Sequence, residues 1–409
     1  MTKRADGEGS IYHRGHGKDG RDLGWAAYAW IETPSGKRRR EYVYGKERET
    51  CHAKWIELLA RAAKGPVSVG GVTVGKFLSD WLEEVIRPNR EPLTYATYET
   101  FVRLHITPWV GRHQLVNLRP RQLQTWLNDL GKRCQCCSRG IDEARPVGKR
   151  KCCAIEQCCE KVLADRTISD IRNCLRSALS QAIMEELITS NVAKMVRLSS
   201  GRRRRKVAWS SDEARQFLEH VRPTPLYAAF ILVLIMGLRK GEVLGLTWAD
   251  LDLEEGELVP RNQLQRVGGN LLHKRVKTEE SENALPMPEL CVAALKVRKA
   301  RQDADQENAG EAWQDKLGLV FTSRYGAPIE PRNFNRYFDG HMERAGVNRI
   351  TVHDARRTCA SLLVDLDVHP RVIMAILRHA DVKVTMEVYA QASSKATREA
   401  LKRLGDSLG

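Results

Sequence analysis

The stretch from His353 to Tyr389 reads HDARRTCASLL over residues 353–363 and ILRHADVKVTMEVY over 376–389, and the rest of the chain is best understood outward from it. His353 and Arg356 stand three apart in a segment whose Ala360, Leu363 and Val364 keep helical spacing, so both side chains fall on one helix face. His379 then opens a short polar segment, and Tyr389 follows in a run of small and apolar residues. Arg and His side chains gathered around a phosphodiester would meet the charge that grows on its non-bridging oxygens. A phenol nearby would supply a nucleophile. Taken singly, each residue also has an ordinary reading, as a core histidine, a helix cap or a half-buried tyrosine.

At 409 residues the chain is too long for one ordinary core, so two or three domains are expected. Lys plus Arg number 67 against 51 Asp plus Glu, a formal charge of +16, and the pI is about 9.4. That balance favours a polyanionic partner and steers encounter with it. The longest apolar run, Leu226 to Leu238, is 13 residues and falls short of the ~20 that cross a bilayer, so it is expected to be a buried helix. No secretion signal opens the chain, which points to the cytoplasm and to reduced thiols for the 11 cysteines.

The fold class expected is mainly α with small antiparallel β-sheets, an α+β multidomain chain. Residues 1–66 carry aromatic-rich runs bounded by Gly and Pro, with a turn at Pro34-Ser35-Gly36, and predict three short strands followed by a helix from Thr50 to Ala63. Lys37, Arg38, Arg39 and Arg40, beside Tyr12, Tyr42 and Tyr44, suit strands laid in a DNA groove; a solvated basic hairpin is the competing reading. Residues 72–200 predict a helical domain, its best helix running from Thr167 to Glu186.

Inside that domain an insertion, 133–160, holds seven cysteines: Cys134, Cys136, Cys137, Cys152, Cys153, Cys158 and Cys159. Cys134 and Cys137 make a C-x-x-C, and Cys153 and Cys158 a C-x-x-x-x-C, so these four would close a tetrahedral zinc site. A reduced, flexible loop is the alternative. Arg202, Arg203, Arg204, Arg205 and Lys206 form a basic linker suited to lie along phosphates, or simply a solvated one. The last domain, 207–409, predicts a helix from Ser210, the buried helix Leu226 to Met236 stopped by Gly237, and one small sheet built from Leu258 to Gln265, Leu271 to Lys277 and Ala284 to Met287. Helices are expected at Pro288 to Asp303, Pro331 to Ala345 and from His353. Arg239 and Glu242 should face one another at a helix start, ordinarily as a surface ion pair.

In chain order GLRKGEVLGL, VKTEESENALPMP, HDARRTCASLL and LRHADVKVTMEVY resemble the tyrosine recombinase family, the phage-type integrases, whose active site runs Arg, Lys, H-x-x-R, His or Trp, and Tyr. The helical region ending ITSNVAKMV resembles the family's SAM-like core-binding domain, and the N-terminal sheet plus helix an arm-type DNA-binding domain. The resemblance implies that Tyr389 attacks the scissile phosphate, that Arg239 and Arg356 hold its non-bridging oxygens, and that Lys277 protonates the leaving 5′-oxygen. It further implies that His353 assists proton transfer, His379 donates to the phosphate, and Glu242 orients the site.

Strand exchange of this kind needs no cofactor for catalysis. The implied partners are double-stranded DNA with core and arm sites, a homo-tetramer docked through the tail 390–409, and an accessory DNA-bending factor, in a nucleoid-associated setting in a bacterium. Two positions depart from the family pattern. Arg378 replaces the usual Gly, which would crowd the turn or add a phosphate contact, and Ala355 replaces Leu, a packing change expected to be tolerated. A type IB topoisomerase, a chromosome-dimer-resolving recombinase and a non-catalytic DNA-binding protein compete with integration and excision of a phage or integrative element.

Overall fold

Small apolar residues recur along Trp25–Glu32, and this strand, β2, sits at the centre of an antiparallel sheet between β1 (Ile11–His13) and β3 (Arg38–Gly45). Ala29 and Ile31 face the helix α1 (Arg48–Ala63), whose Leu58 completes a small core. Trp55 Nε1 donates to the Tyr28 carbonyl at 2.9 Å and fixes the helix on the sheet. The computed structural model describes residues 11–17, 19–32, 38–63, 72–198, 208–276 and 284–378, together with Met386, Lys402 and Asp406. The turn at Pro34-Ser35-Gly36 lies outside them. The chain divides between Arg202 and Arg203 into two units.

The helical part of the first unit is built from α2 (Val74–Asp80), α3 (Pro92–Phe101), α4 (Pro120–Leu130), the single turn α5 (Gln135–Ser138) and α6 (Asp165–Met184). Their apolar faces share one core that includes Trp81, Leu123, Ile171 and Leu179. Both α2 and α3 run on into π-helical stretches, Trp81–Ile86 and Val102–Ile106, where Arg87 and Thr107 donate backward to Leu82 and Val102. Pro88 and Pro108 follow directly. A proline ring lacks the N–H and collides with the carbonyl four residues back, so widening the helix by one residue accommodates it.

In the second unit, α7 (Ser211–Val221) begins with a capping box between Ser210 and Glu213, and α8 (Tyr227–Leu234) is buried along its length. Trp209, Phe217, Phe230 and Phe338 stack against one another in its core. The buried helix is shorter than expected: it ends at Leu234, Ile235 caps it with its N–H still bonded to Ile231 O, and Leu238 N bonds to Leu232 O across a turn formed by Gly237 at φ +59°. A Cβ on Gly237 would collide with Leu377. After α9 (Lys240–Gly245) the expected single sheet is instead two. β4 (Leu251–Asp252), β5 (Glu257–Leu258) and β8 (Leu285–Pro286) form one, and β6 (Asn262–Val267) with β7 (Asn270–Arg275) a separate hairpin. Pro260 falls between β5 and β6, and its missing N–H breaks the ladder there. α10 (Glu289–Ala309), α11 (Pro331–Ala345), α12 (Val352–Asp365) and α13 (Pro370–Leu377) complete the unit. Ala355 is fully buried in the core, as a packing residue. Among the described residues no helix is long and apolar enough to cross a membrane.

Candidate active site

Arg239 is the N-cap of α9, and Glu242, three residues on, closes the cap. The Glu242 carboxylate accepts from the Arg239 backbone N–H at 2.8 Å and from Arg239 Nη1 at 2.6 Å. This is no surface pair. The Glu242 side chain is only 3% exposed, whereas that of Arg239 is 42% exposed, so one partner is buried and the other opens to solvent.

Arg378 supplies a second cation, its Nη2 donating to Glu242 Oε2 at 2.6 Å. Burial alone would raise the Glu242 carboxyl, but Arg378 and then Arg239 overcome it and hold the group below the usual carboxylate range. Arg378 is itself buried, and of the two expectations for this position, a crowded turn or a phosphate contact, the described residues show neither directly but an ion pair with Glu242. It caps α13 with φ +50°, in the left-handed region, where a glycine would sit without strain.

Arg356 comes from α12, whose N-terminus is set by Thr351: its Oγ1 accepts from Asp354 N at 3.1 Å, and Asp354 Oδ2 accepts from Thr351 N at 3.2 Å. That start leaves His353 exposed in the first turn and Arg356 buried one turn further in. The planar fork of Arg356 donates through Nη1 to the Gly237 carbonyl and through Nη2 to the Leu377 carbonyl. Burial, and next the positive charge of Arg239, bring its pKa down to about 9, so it stays cationic at neutral pH. Three guanidiniums around one carboxylate leave a surplus of positive charge, partly out of water, where an anion is attracted most strongly.

Arg239, His353 and Arg356 line one cleft of about 280 Å³, with Lys240, Asn335 and Asp339. Lys240 Nζ donates to Asn335 Oδ1 at 3.1 Å, and burial pushes its ammonium down while Glu330 partly resists. Neither Lys240 nor Asn335 was singled out from the sequence. Adjacency to Arg239 was the one available signal for Lys240; Asn335 sits on a helix with no motif. Lys277, His379 and Tyr389 lie outside the described residues, as do Arg202, Arg203, Arg204, Arg205 and Lys206.

On the N-terminal sheet, Arg38, Arg39 and Arg40 are exposed on β3. Arg40 pairs with Trp30 and lies 4.8 Å above its ring and 5.2 Å from that of Tyr28. Tyr28 pairs with Tyr42 and Ala26 with Tyr44, so aromatic rings and a guanidinium share the sheet face away from Ala29 and Ile31. In the insertion every cysteine is free. The thiols that converge are Cys134, Cys137, Cys152 and Cys158, so Cys152 stands where Cys153 was expected. In a Cys-Cys doublet the spacing differs by one residue only, and the fold of the loop decides which sulfur faces inward.

The phage integrase family profile matches residues 209–396, and that of the phage integrase N-terminal SAM-like domain matches 73–131. The chain belongs to the tyrosine recombinase family. This recombinase is 26% identical to a XerC-like tyrosine recombinase of Caldanaerobacter subterraneus over 91% of this chain and 93% of that protein. It is 25% identical to an integrase of Streptomyces ambofaciens, over 88% of each. Among solved structures, the Tn1549 transposon integrase in complex with transposon right end DNA superposes with a TM-score of 0.63 at 19% identity, over 81% of this chain and 99% of that one. The recombinase is thus an enzyme that cleaves and rejoins DNA at specific sites.

Proposed function

We propose that this recombinase integrates and excises a mobile DNA element through a 3′-phosphotyrosyl intermediate and a Holliday junction. The observation that carries the reading is the convergence of Arg239, Arg356 and His353 on one cleft, with Glu242 buried behind them. Arg239 and Arg356 hold the non-bridging oxygens of the scissile phosphate, a task suited to guanidinium forks.

The Tyr389 oxygen attacks phosphorus, the P–O5′ bond breaks, and Lys277 gives the leaving 5′-oxygen its proton. His353 assists removal of the tyrosine proton, since a phenol of pKa ~10 is mostly protonated at neutral pH. His379 donates to the phosphate. The 5′-hydroxyl of a partner duplex then attacks the phosphotyrosyl bond and frees Tyr389. Bond energy is conserved in the covalent link, so the exchange draws on neither nucleotide hydrolysis nor a catalytic metal.

The relatives named as integrases, and the transposon integrase solved on DNA, support an element-borne role. The basic charge suits duplex DNA, with core sites bound by the helical and C-terminal domains and arm sites by the N-terminal sheet. A homo-tetramer on two duplexes, assisted by a DNA-bending factor on a bacterial nucleoid, completes the reading.

The test is incubation of wild type and Tyr389→Phe with nicked suicide duplexes carrying the element's junction core, resolved on denaturing gels. A covalent adduct is expected with wild type alone. An adduct of equal yield with the phenylalanine variant would remove Tyr389 from the role.

A further inference from the structure

We propose that the insertion between α4 and α6 is a structural zinc module in which Cys134, Cys137, Cys152 and Cys158 hold one ion as thiolates. The segment has little else to fold around. Its buried cluster consists of Cys134, Cys136 and Cys152, with Ile141 and Cys153 packed beside them. Ordering each residue costs about 1–2 kcal/mol of backbone entropy, while apolar burial returns roughly 25 cal/mol per Å². A cluster this small falls far short over such a loop. Two of its turns also pass through left-handed backbone at non-glycine residues, Glu156 at φ 58° and Glu160 at φ 50°, which adds to the deficit.

Polar scaffolding nevertheless brings the sulfurs together. The Asp142 carboxylate, fully buried, accepts from the backbone N–H groups of Lys151 at 3.0 Å, Cys152 at 2.8 Å and Ala154 at 3.2 Å, and from Arg145 Nη1 at 2.6 Å. It pins the Lys151–Ala154 loop beside the turn α5. Gln135 N donates to Lys161 O at 2.9 Å and ties the returning chain to the same turn.

The four thiol sulfurs all lie within 4.8 Å of one another. Cys134 to Cys152 measures 3.8 Å, Cys137 to Cys152 3.5 Å and Cys137 to Cys158 3.8 Å. A tetrahedral ion with Zn–S bonds of about 2.3 Å has sulfur-to-sulfur edges of about 3.8 Å. A disulfide needs about 2.0 Å, and none is formed. Backbone N–H groups point at sulfur too: Cys159 N to Cys152 Sγ and Glu160 N to Cys158 Sγ, each 3.3 Å, as stabilised thiolates require. A second trio, Cys136, Cys152 and Cys159, shares Cys152 but offers three ligands, one short of a closed structural site. Four soft thiolates select zinc over magnesium or calcium.

The test is metal analysis of the full-length recombinase purified without chelator, by plasma mass spectrometry, with cobalt substitution read in the visible spectrum. One equivalent of zinc is expected, with the intense visible bands of a tetrahedral thiolate site after exchange. Cys153→Ser should keep the full equivalent and Cys152→Ser should lose it. Because Cys152→Ser can fail to fold, zinc removal from wild type by a strong chelator is followed in parallel, and a lowered Tm restored by zinc is expected. Zinc below about a tenth of an equivalent, two equivalents per chain, or metal kept in a soluble Cys152→Ser protein would each overturn the assignment.

Discussion

Glu242 concentrates the energetics of the site in one carboxylate. It is buried, it closes the helix cap of Arg239, and it neutralises Arg378, so removing its charge leaves a buried guanidinium uncompensated. Glu242→Gln is expected to lose about 3 kcal/mol of stability in urea denaturation, with cleavage falling further because Arg239 loses its anchor. The pH dependence has a definite sign. Its folded-state pKa is depressed, so the stabilisation is fully present above the ordinary carboxylate value of about 4.3 and is lost as pH falls through the lower folded value. The glutamine variant should show a shallower acid limb than wild type; identical limbs would assign the acid sensitivity elsewhere. The three-residue spacing of Arg239 and Glu242 made their pairing legible in the sequence. Its burial was not, because that depends on Arg378, far along the chain.

Helices were legible in the sequence where the apolar periodicity was sustained. α11 runs over Pro331–Ala345 as expected, and α1, α6 and α10 differ from expectation only at their ends. The second unit's sheets were misjudged because a run of β-forming residues does not say which neighbour it pairs with, and Pro260 divides one apparent strand into parts of two sheets. The π-helical stretches carried a signal, a proline two residues past the end of each, which periodicity alone does not weigh.

The end of α13 allows a sharp comparison. Arg378 occupies a left-handed cap, where a side chain costs roughly 1 kcal/mol and glycine costs little. Arg378→Gly and Arg378→Ala both lose the pair with Glu242, but only glycine also relieves the backbone. The glycine variant should therefore be about 1 kcal/mol more stable than the alanine variant in denaturant titration. An alanine variant that matches or exceeds it would mean that the cap is not strained.

At the scale of the whole chain, the charge of +16 favours a polyanionic partner, and the proposed division of work between arm and core is open to a direct test. The arginine and aromatic face of the N-terminal sheet belongs to the first unit, and the cleft lined by Arg239, His353 and Arg356 to the second. Deleting residues 1–64 should leave adduct formation on a nicked core site intact while abolishing integration between duplexes in a two-plasmid assay. Loss of adduct formation as well would end the division between arm and core. Composition made the polyanionic partner legible, and four short blocks in order made the family legible. What composition left hidden is how the blocks touch, since those contacts run through backbone carbonyls that carry no sequence signature.

The Arg356 fork shows what such contacts imply. One of its bonds ends on the turn before α9 and the other on the last residue of α13, immediately ahead of Arg378, whose own charge rests on Glu242. The turn before α9, Arg356, the end of α13 and Glu242 are thereby parts of a single mechanical linkage. Loosening the end of α13 would therefore be felt at Arg356 directly and, through Arg378 and Glu242, at Arg239.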